Sequence, residues 1–229
     1  MPFKDTSNLK TLFTIVLFFL SIISFGQSLG YPKIIRLTKK KTFKINTAHQ
    51  IAWERQVRYL GVYKDTIKID SANFRYSPTN PFITKSDLYK FYGKGNFLTT
   101  PLTLSLDTTQ IISTSEFCYP NGDLKTKYFE SFPVFIKNMT DSLASIGFGS
   151  KVNIIVEALD TDKVWKPIEK RYVYKCGNGL HYIYLKPGEI CCALIPKYKG
   201  DFLTQLRLNI NNSYSEPYFG HVSKSQFVD

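Results

Sequence analysis

The stretch from Val152 to Ile210 alternates apolar and polar positions with period two. Val152, Ile154, Val156 and Ala158 fall on one side of an extended segment, and so do Leu206, Leu208 and Ile210, with Arg207 and Asn209 opposite. The pattern predicts four strands in a row, Val152–Ala158, Leu180–Lys186, Ile190–Pro196 and Leu203–Ile210. Turn residues separate them at Asp160–Lys163, Gly177–Gly179, Lys186–Gly188 and Lys199–Asp201. Alternation punctuated by Gly, Pro and Asp belongs to antiparallel strands with one face in a core.

Towards the N-terminus, Lys33–Thr38 and Thr42–Thr47 read as the first two strands, and Arg55–Leu60 and Val62–Ile69 as a pair around Gly61, which marks a bulge or bend. The alternation dissolves from Asp70 to Thr100. There Ser77–Pro81 is turn chemistry and Thr84–Tyr92 is a short helix with Thr84 and Asp87 in capping-box spacing. Leu102–Leu106 and Gln110–Thr114 read as a hairpin closed by Asp107–Thr109, and Pro120–Asp123 as a strong turn. Lys127–Lys137 is a long strand that Pro133 demotes to an edge or a bulge. Asn138 caps one helical turn before Gly147, and Tyr218–Val222 is a closing strand.

These elements predict an all-β protein, an antiparallel β-sandwich (immunoglobulin-like or jelly-roll-like) of about ten to twelve strands with one or two short helices. No internal repeat, low-complexity segment or linker divides the chain, so residues 27–229 read as a single sandwich domain. Two smaller sandwiches, 27–119 and 120–229, meeting at the Pro120–Asp123 turn, are the alternative.

Residues 1–26 change the setting. Lys4 and Lys10 precede the apolar run Leu12–Phe25, and Ser24 and Gly26 supply the small residues that a signal peptidase reads. That run is short of the ~20 residues a spanning helix needs. The ending Ser-Phe-Gly-Gln-Ser resembles leaders of exported bacterial proteins whose mature chains begin at Gln. Export is therefore expected, to the periplasm or beyond the cell, with Gln27 as the first mature residue and no stable membrane insertion afterwards.

The chain carries 30 Lys+Arg against 18 Asp+Glu, a formal charge of +12. Such a charge favours anionic partners, but outside the cytoplasm nucleic acid is not an expected one. A glycan or an envelope protein is. The basic residues are scattered singly except for Lys39–Lys41, as also suits a solvated surface.

Motifs that would carry chemistry are missing. His49, His181 and His221 each stand alone, and the chain contains no HExxH zinc site, GxSxG elbow, deaminase motif or dinucleotide fingerprint. No metal and no cofactor is expected. Glu130 and Glu157 could act as the paired carboxylates of a secreted polysaccharide hydrolase. A non-enzymatic binding or structural protein of the cell envelope is the leading expectation, with Trp53, Trp165 and Arg171 as contact residues. Each Trp can equally pack at the rim of a sandwich. Cys118, Cys176, Cys191 and Cys192 lack zinc spacing, and an oxidising compartment permits one bridge among them or free buried thiols.

Overall fold

The computed structural model describes residues 30–36, 44–46, 55–69, 101–118, 125–170 and 182–227. The expected leader, Trp53, the helix expected at 84–92, Arg171 and Cys176 lie outside them, as does the side chain of Cys118. Pro32–Asp229 form one compact unit. In chain order its strands are β1 (Lys33–Arg36), β2 (Ile45–Asn46), β3 (Arg55–Gln56), β4 (Tyr59–Val62), β5 (Thr66–Ile69), β6 (Leu102–Leu106), β7 (Ile112–Cys118) and β8 (Lys125–Asn138). There follow β9 (Ala144–Phe148), β10 (Lys151–Val152), β11 (Ile155–Leu159), β12 (Trp165–Pro167), β13 (Tyr182–Leu185) and β14 (Glu189–Pro196). The last are β15 (Tyr198–Lys199), β16 (Phe202–Ile210), β17 (Ser213–Tyr214) and β18 (Tyr218–Val222), before a single 3-10 turn at Lys224–Gln226.

The protein is all-β. Three antiparallel sheets hold most of the described strands: β13-β9-β10-β3, then β12-β11-β16-β17 with β18 also on β16, then β4-β14-β8-β6 with β7 also on β8. Two small parallel ribbons, β1-β5 and β15-β2, complete it. The inward faces of all three larger sheets meet in one apolar cluster, including Val134, Ile136, Ile146, Val156, Ile183, Ile195 and Leu208. A second cluster lies on the other side of the β14-β8 sheet, where Ile190, Cys192, Leu194 and Phe135 meet Ile34, Ile67 and Ile69 of the β1-β5 ribbon. Strand β14 is thus buried on both faces, Cys191, Ala193 and Ile195 on one and Ile190, Cys192 and Leu194 on the other. One-face burial was the expectation; the run Ile190–Ile195 has no polar alternate, the mark of a strand covered on both sides.

Among the described residues there are eighteen strand segments, several of them short because single alternating runs change sheets part-way. Val152–Ala158 keeps one buried face throughout, yet β10 pairs with β9 and β3 while β11 pairs with β16 and β12. Arg55–Leu60 divides likewise, β3 joining β10 and β4 joining β14. Gly61 lies inside β4 rather than between strands.

The hairpin expected at Asp107–Thr109 does not form. Strands β6 and β7 both pair with β8, one after the other along the same edge. Between them Asp107–Ile111 loops out opposite Pro133. The Asp107 amide donates to the Pro133 carbonyl at 3.0 Å, but proline has no N–H to return the bond, so the ladder breaks there. The Asp107 carboxylate then holds the loop, accepting from the Thr109 amide (2.8 Å) and hydroxyl (2.6 Å) and from Gln110 Nε2 (2.7 Å). Pro133 therefore sits in a central strand, at an interruption of the neighbouring edge.

No helical turn follows Asn138 either. Its side chain caps a tight turn instead: Oδ1 accepts from the Thr140 amide (3.0 Å) and hydroxyl (2.8 Å), and Nδ2 donates to the Ser142 and Leu185 carbonyls. An Asx-type turn competes successfully with a helix N-terminus because the same oxygen serves both.

The turn glycine Gly200 has a second duty. A Cβ there would lie 2.0 Å from the Val222 carbonyl carbon and 2.1 Å from its oxygen, where the β15–β16 connection crosses the end of β18. Gly200→Ala is expected to destabilise the fold by about 3 kcal/mol, read as a lower urea midpoint. A wild-type midpoint would show that the two backbones are free to separate.

Candidate ligand-binding face

Two places gather polar side chains from distant parts of the chain: one inside the protein, the other on an outward sheet face.

The inner one centres on Glu169, in the bend after β12. Its carboxylate takes the Arg55 guanidinium from β3 and the Tyr198 hydroxyl from β15 on Oε1, and the Val156 amide at 3.1 Å on Oε2. The Arg55 and Glu169 side chains are 2% and 1% exposed, so both charges are desolvated and each depends on the other. Burial acts most strongly and lowers the Arg55 pKa, but the Glu169 charge, together with Tyr198 and the hydrogen bonds from both, leaves the guanidinium above its ordinary value. Burial, helped by the same carboxylate, pushes the hydroxyls of Tyr198 and neighbouring Tyr218 well up, so both stay protonated. Arg55 Nε has no partner among the described residues. The group ties β3, β11 and β15 together, and its chemistry is that of a clamp. Nothing local in the sequence signals a pairing across 114 positions.

The outer one uses the polar side of the β11-β16 alternation. Because Leu206, Leu208, Val156 and Ala158 point inward, Glu157, Arg207 and Asn209 must point out, and the register sets Glu157 directly opposite Arg207. Arg207 Nε donates to Glu157 Oε2 and Asn209 Nδ2 to Glu157 Oε1, each at 2.7 Å. Trp165 reaches the same face from β12, paired opposite Leu159, and Tyr214 from β17, opposite Asn209. The Arg207 guanidinium carbon lies 4.4 Å from the Trp165 ring centroid and 4.1 Å from that of Tyr214. Further along, Leu203 and Phe219 project from β16 and β18, with Phe219 opposite Gln205 and 72% exposed. One sheet face thus presents two aromatic rings around a cation, with an apolar extension.

Local turns position these groups. Asn211 and Asn212, at φ 49° and 62°, close the two-residue hairpin that brings Tyr214 alongside β16. Asp160 closes the β11–β12 connection that delivers Trp165. Its Oδ1 accepts from the Asp162 and Val164 amides at 2.9 Å, and Lys166 Nζ lies 3.1 Å from Oδ2. The Val164 amide is the main cause of its lowered pKa, which burial opposes and Lys166 assists. The Glu157–Asp160–Asp162 run is therefore turn and cross-strand chemistry, and the described residues hold no cluster of metal-ligating groups.

Of the expected contact residues, Trp165 is half-buried on this face, while Trp53 and Arg171 lie outside the described residues. Arg207 and Tyr214 were not singled out from sequence, although the polar side of Leu203–Ile210 was the available signal. Glu130 sits on β8, in a different sheet from Glu157, with Lys197 Nζ 3.5 Å away. Cys191 and Cys192 are buried free thiols on opposite faces of β14. Burial pushes the Cys191 thiol well up and that of Cys192 up to about 12.

Comparison with protein-family models, with curated protein sequences and with solved structures returns no match for this chain. No described helix is long and apolar enough to cross a membrane.

The clamp and the thiols each make an expectation. Glu169→Ala leaves the Arg55 charge buried without its counter-ion and is expected to cost about 3–5 kcal/mol in urea unfolding, whereas an Arg55→Met/Glu169→Leu double variant lands closer to wild type. Equal losses would mean that contacts, not the stranded charge, set the cost. Iodoacetamide mapped by mass spectrometry should modify Cys191 and Cys192 only after unfolding, because a thiol that stays protonated and buried is a poor nucleophile. Modification of the native protein would contradict that burial.

Proposed function

We propose that the protein is an exported, non-enzymatic binding protein of the cell envelope or extracellular space, and that it holds glycan on the outward face of β11, β16 and their neighbours. The observation that carries this reading is the convergence of Trp165 and Tyr214 on Arg207, outside the core. Flat aromatic rings beside fixed polar groups suit the apolar faces and hydroxyls of sugars, since stacking supplies contact area and the polar groups supply orientation. Exposed Phe219 and Leu203 extend the platform for a chain longer than one sugar.

Export rests on residues 1–26 and agrees with a basic, glycan-contacting surface. For the fold, the finer reading is a sandwich of immunoglobulin-like or jelly-roll-like type, favoured by antiparallel sheets whose inward faces meet in the larger apolar cluster. In either version the ligand platform is a sheet face rather than the loops at a sandwich end.

Trp165→Ala and Tyr214→Ala, each removing one ring from a site outside the core, should abolish or strongly reduce retention on a glycan array or on cell-wall material. Thermal unfolding should move only a few degrees. Full retention by both variants would return the two rings to a packing role.

A further inference from the structure

The Arg207 side chain is held at its stem and stacked at its head, yet its terminal nitrogens are idle. Among the described residues only its Nε is paired, to Glu157. Among the described residues Nη1 and Nη2 have no hydrogen-bond partner, although the side chain is only 23% exposed. A guanidinium carries its N–H groups in its own plane, so one Nε bond to Glu157 and rings against the group leave the outer donors facing solvent. Glu157 cannot turn to take them, because its second oxygen is occupied by Asn209 at 2.7 Å. The result is a two-pronged donor fixed between aromatic rings before any ligand arrives.

Resting on the glycan reading above, we propose that the ligand is an acidic, carboxylate-bearing glycan, a chain of uronic acid residues, whose carboxylate is taken bidentately by Arg207 Nη1 and Nη2 while its sugar rings lie on Trp165 and Tyr214. A fork of parallel N–H donors matches the two oxygens of a carboxylate, and such charge-assisted pairs are about twice as strong as neutral hydrogen bonds. Pre-ordering by Glu157, Asn209 and the two rings means that little side-chain freedom is lost on binding. The overall charge of +12 draws a polyanion towards the protein, and the fork gives it a register. Glu157 opposes this: its negative charge partly balances Arg207, so removing that charge while keeping its shape must strengthen binding of an anion. A neutral sugar would not respond in that way.

The probes are oligomers of galacturonic acid and of mannuronic acid, each with its fully methyl-esterified, uncharged counterpart, titrated calorimetrically into the purified mature chain at low and high salt. The acid form of at least one oligomer should bind about tenfold or more tightly than its ester, a difference near the worth of one charge-assisted pair, and should weaken with salt. Arg207→Lys keeps the charge but removes the fork and should erase the preference. Glu157→Gln keeps one acceptor oxygen for Arg207 Nε, gives up the bond from Asn209, and should widen the preference by several-fold. Because these two variants move affinity in opposite directions, loss of folding cannot imitate both. Acid and ester bound equally, or a Glu157→Gln variant that leaves the acid form unchanged, would overturn the acidic ligand. If Trp165-dependent retention on neutral glycans persisted in that case, the platform would stand and only its charge preference would fall. Failure of every acid oligomer to bind, together with loss-free retention by Trp165→Ala, would remove both readings.

Discussion

Strand β14 is the constraint around which the rest is arranged. Buried on both faces, it must be covered by one apolar cluster from the three-sheet side and another from the β1-β5 ribbon. Its paired neighbours β8 and β4 flank it on both edges, from Ile190 to Pro196 on one and from Glu189 to Cys192 on the other. A strand so enclosed cannot slip by one residue, since slippage would merely exchange two apolar faces of different shape against two fitted clusters. The connection that follows it leads directly to Tyr198, and so to the Glu169 clamp. The central strand and the buried ion pair are in this sense one unit, the first supplying burial and the second fixing how β3, β11 and β15 sit around it.

The alternation of Val152–Ala158 and Leu203–Ile210 was enough to foretell which side chains go inward, and therefore that Glu157, Arg207 and Asn209 share an outer face. Turns rich in Gly, Pro and Asp were legible too, because their backbone demands are local: Lys186–Gly188 and the Asp160 loop both turn where expected. Non-local partners were hidden. Nothing in Leu102–Thr114 tells whether two strands face each other or run consecutively along a third; the deciding residue is Pro133, some twenty positions away in β8 and unable to donate a bond. The change of sheet at Asn153–Ile154 was hidden for the same reason, since the inward pattern continues unbroken through it.

The candidate face shows the same division. Trp165 stood out by residue type, whereas Arg207 and Tyr214 acquire meaning only from register and from the hairpin that folds β17 back on β16. Glu157 drew attention as a candidate catalytic carboxylate; in the fold it accepts from Arg207 and Asn209 and so orients the guanidinium. A charged residue in a sequence carries little information until its neighbours across the ladder are known.

The interruption between β6 and β7 also bears on self-association. An uninterrupted row from Leu102 to Cys118 would expose a long rail of unpaired amides and carbonyls, on which another copy could add its own strand and begin a fibril. Looping out Asp107–Ile111 cuts that rail into two shorter lengths and places a carboxylate at the gap. Pro133 in the neighbouring strand thereby shortens each length of edge to which another strand could add.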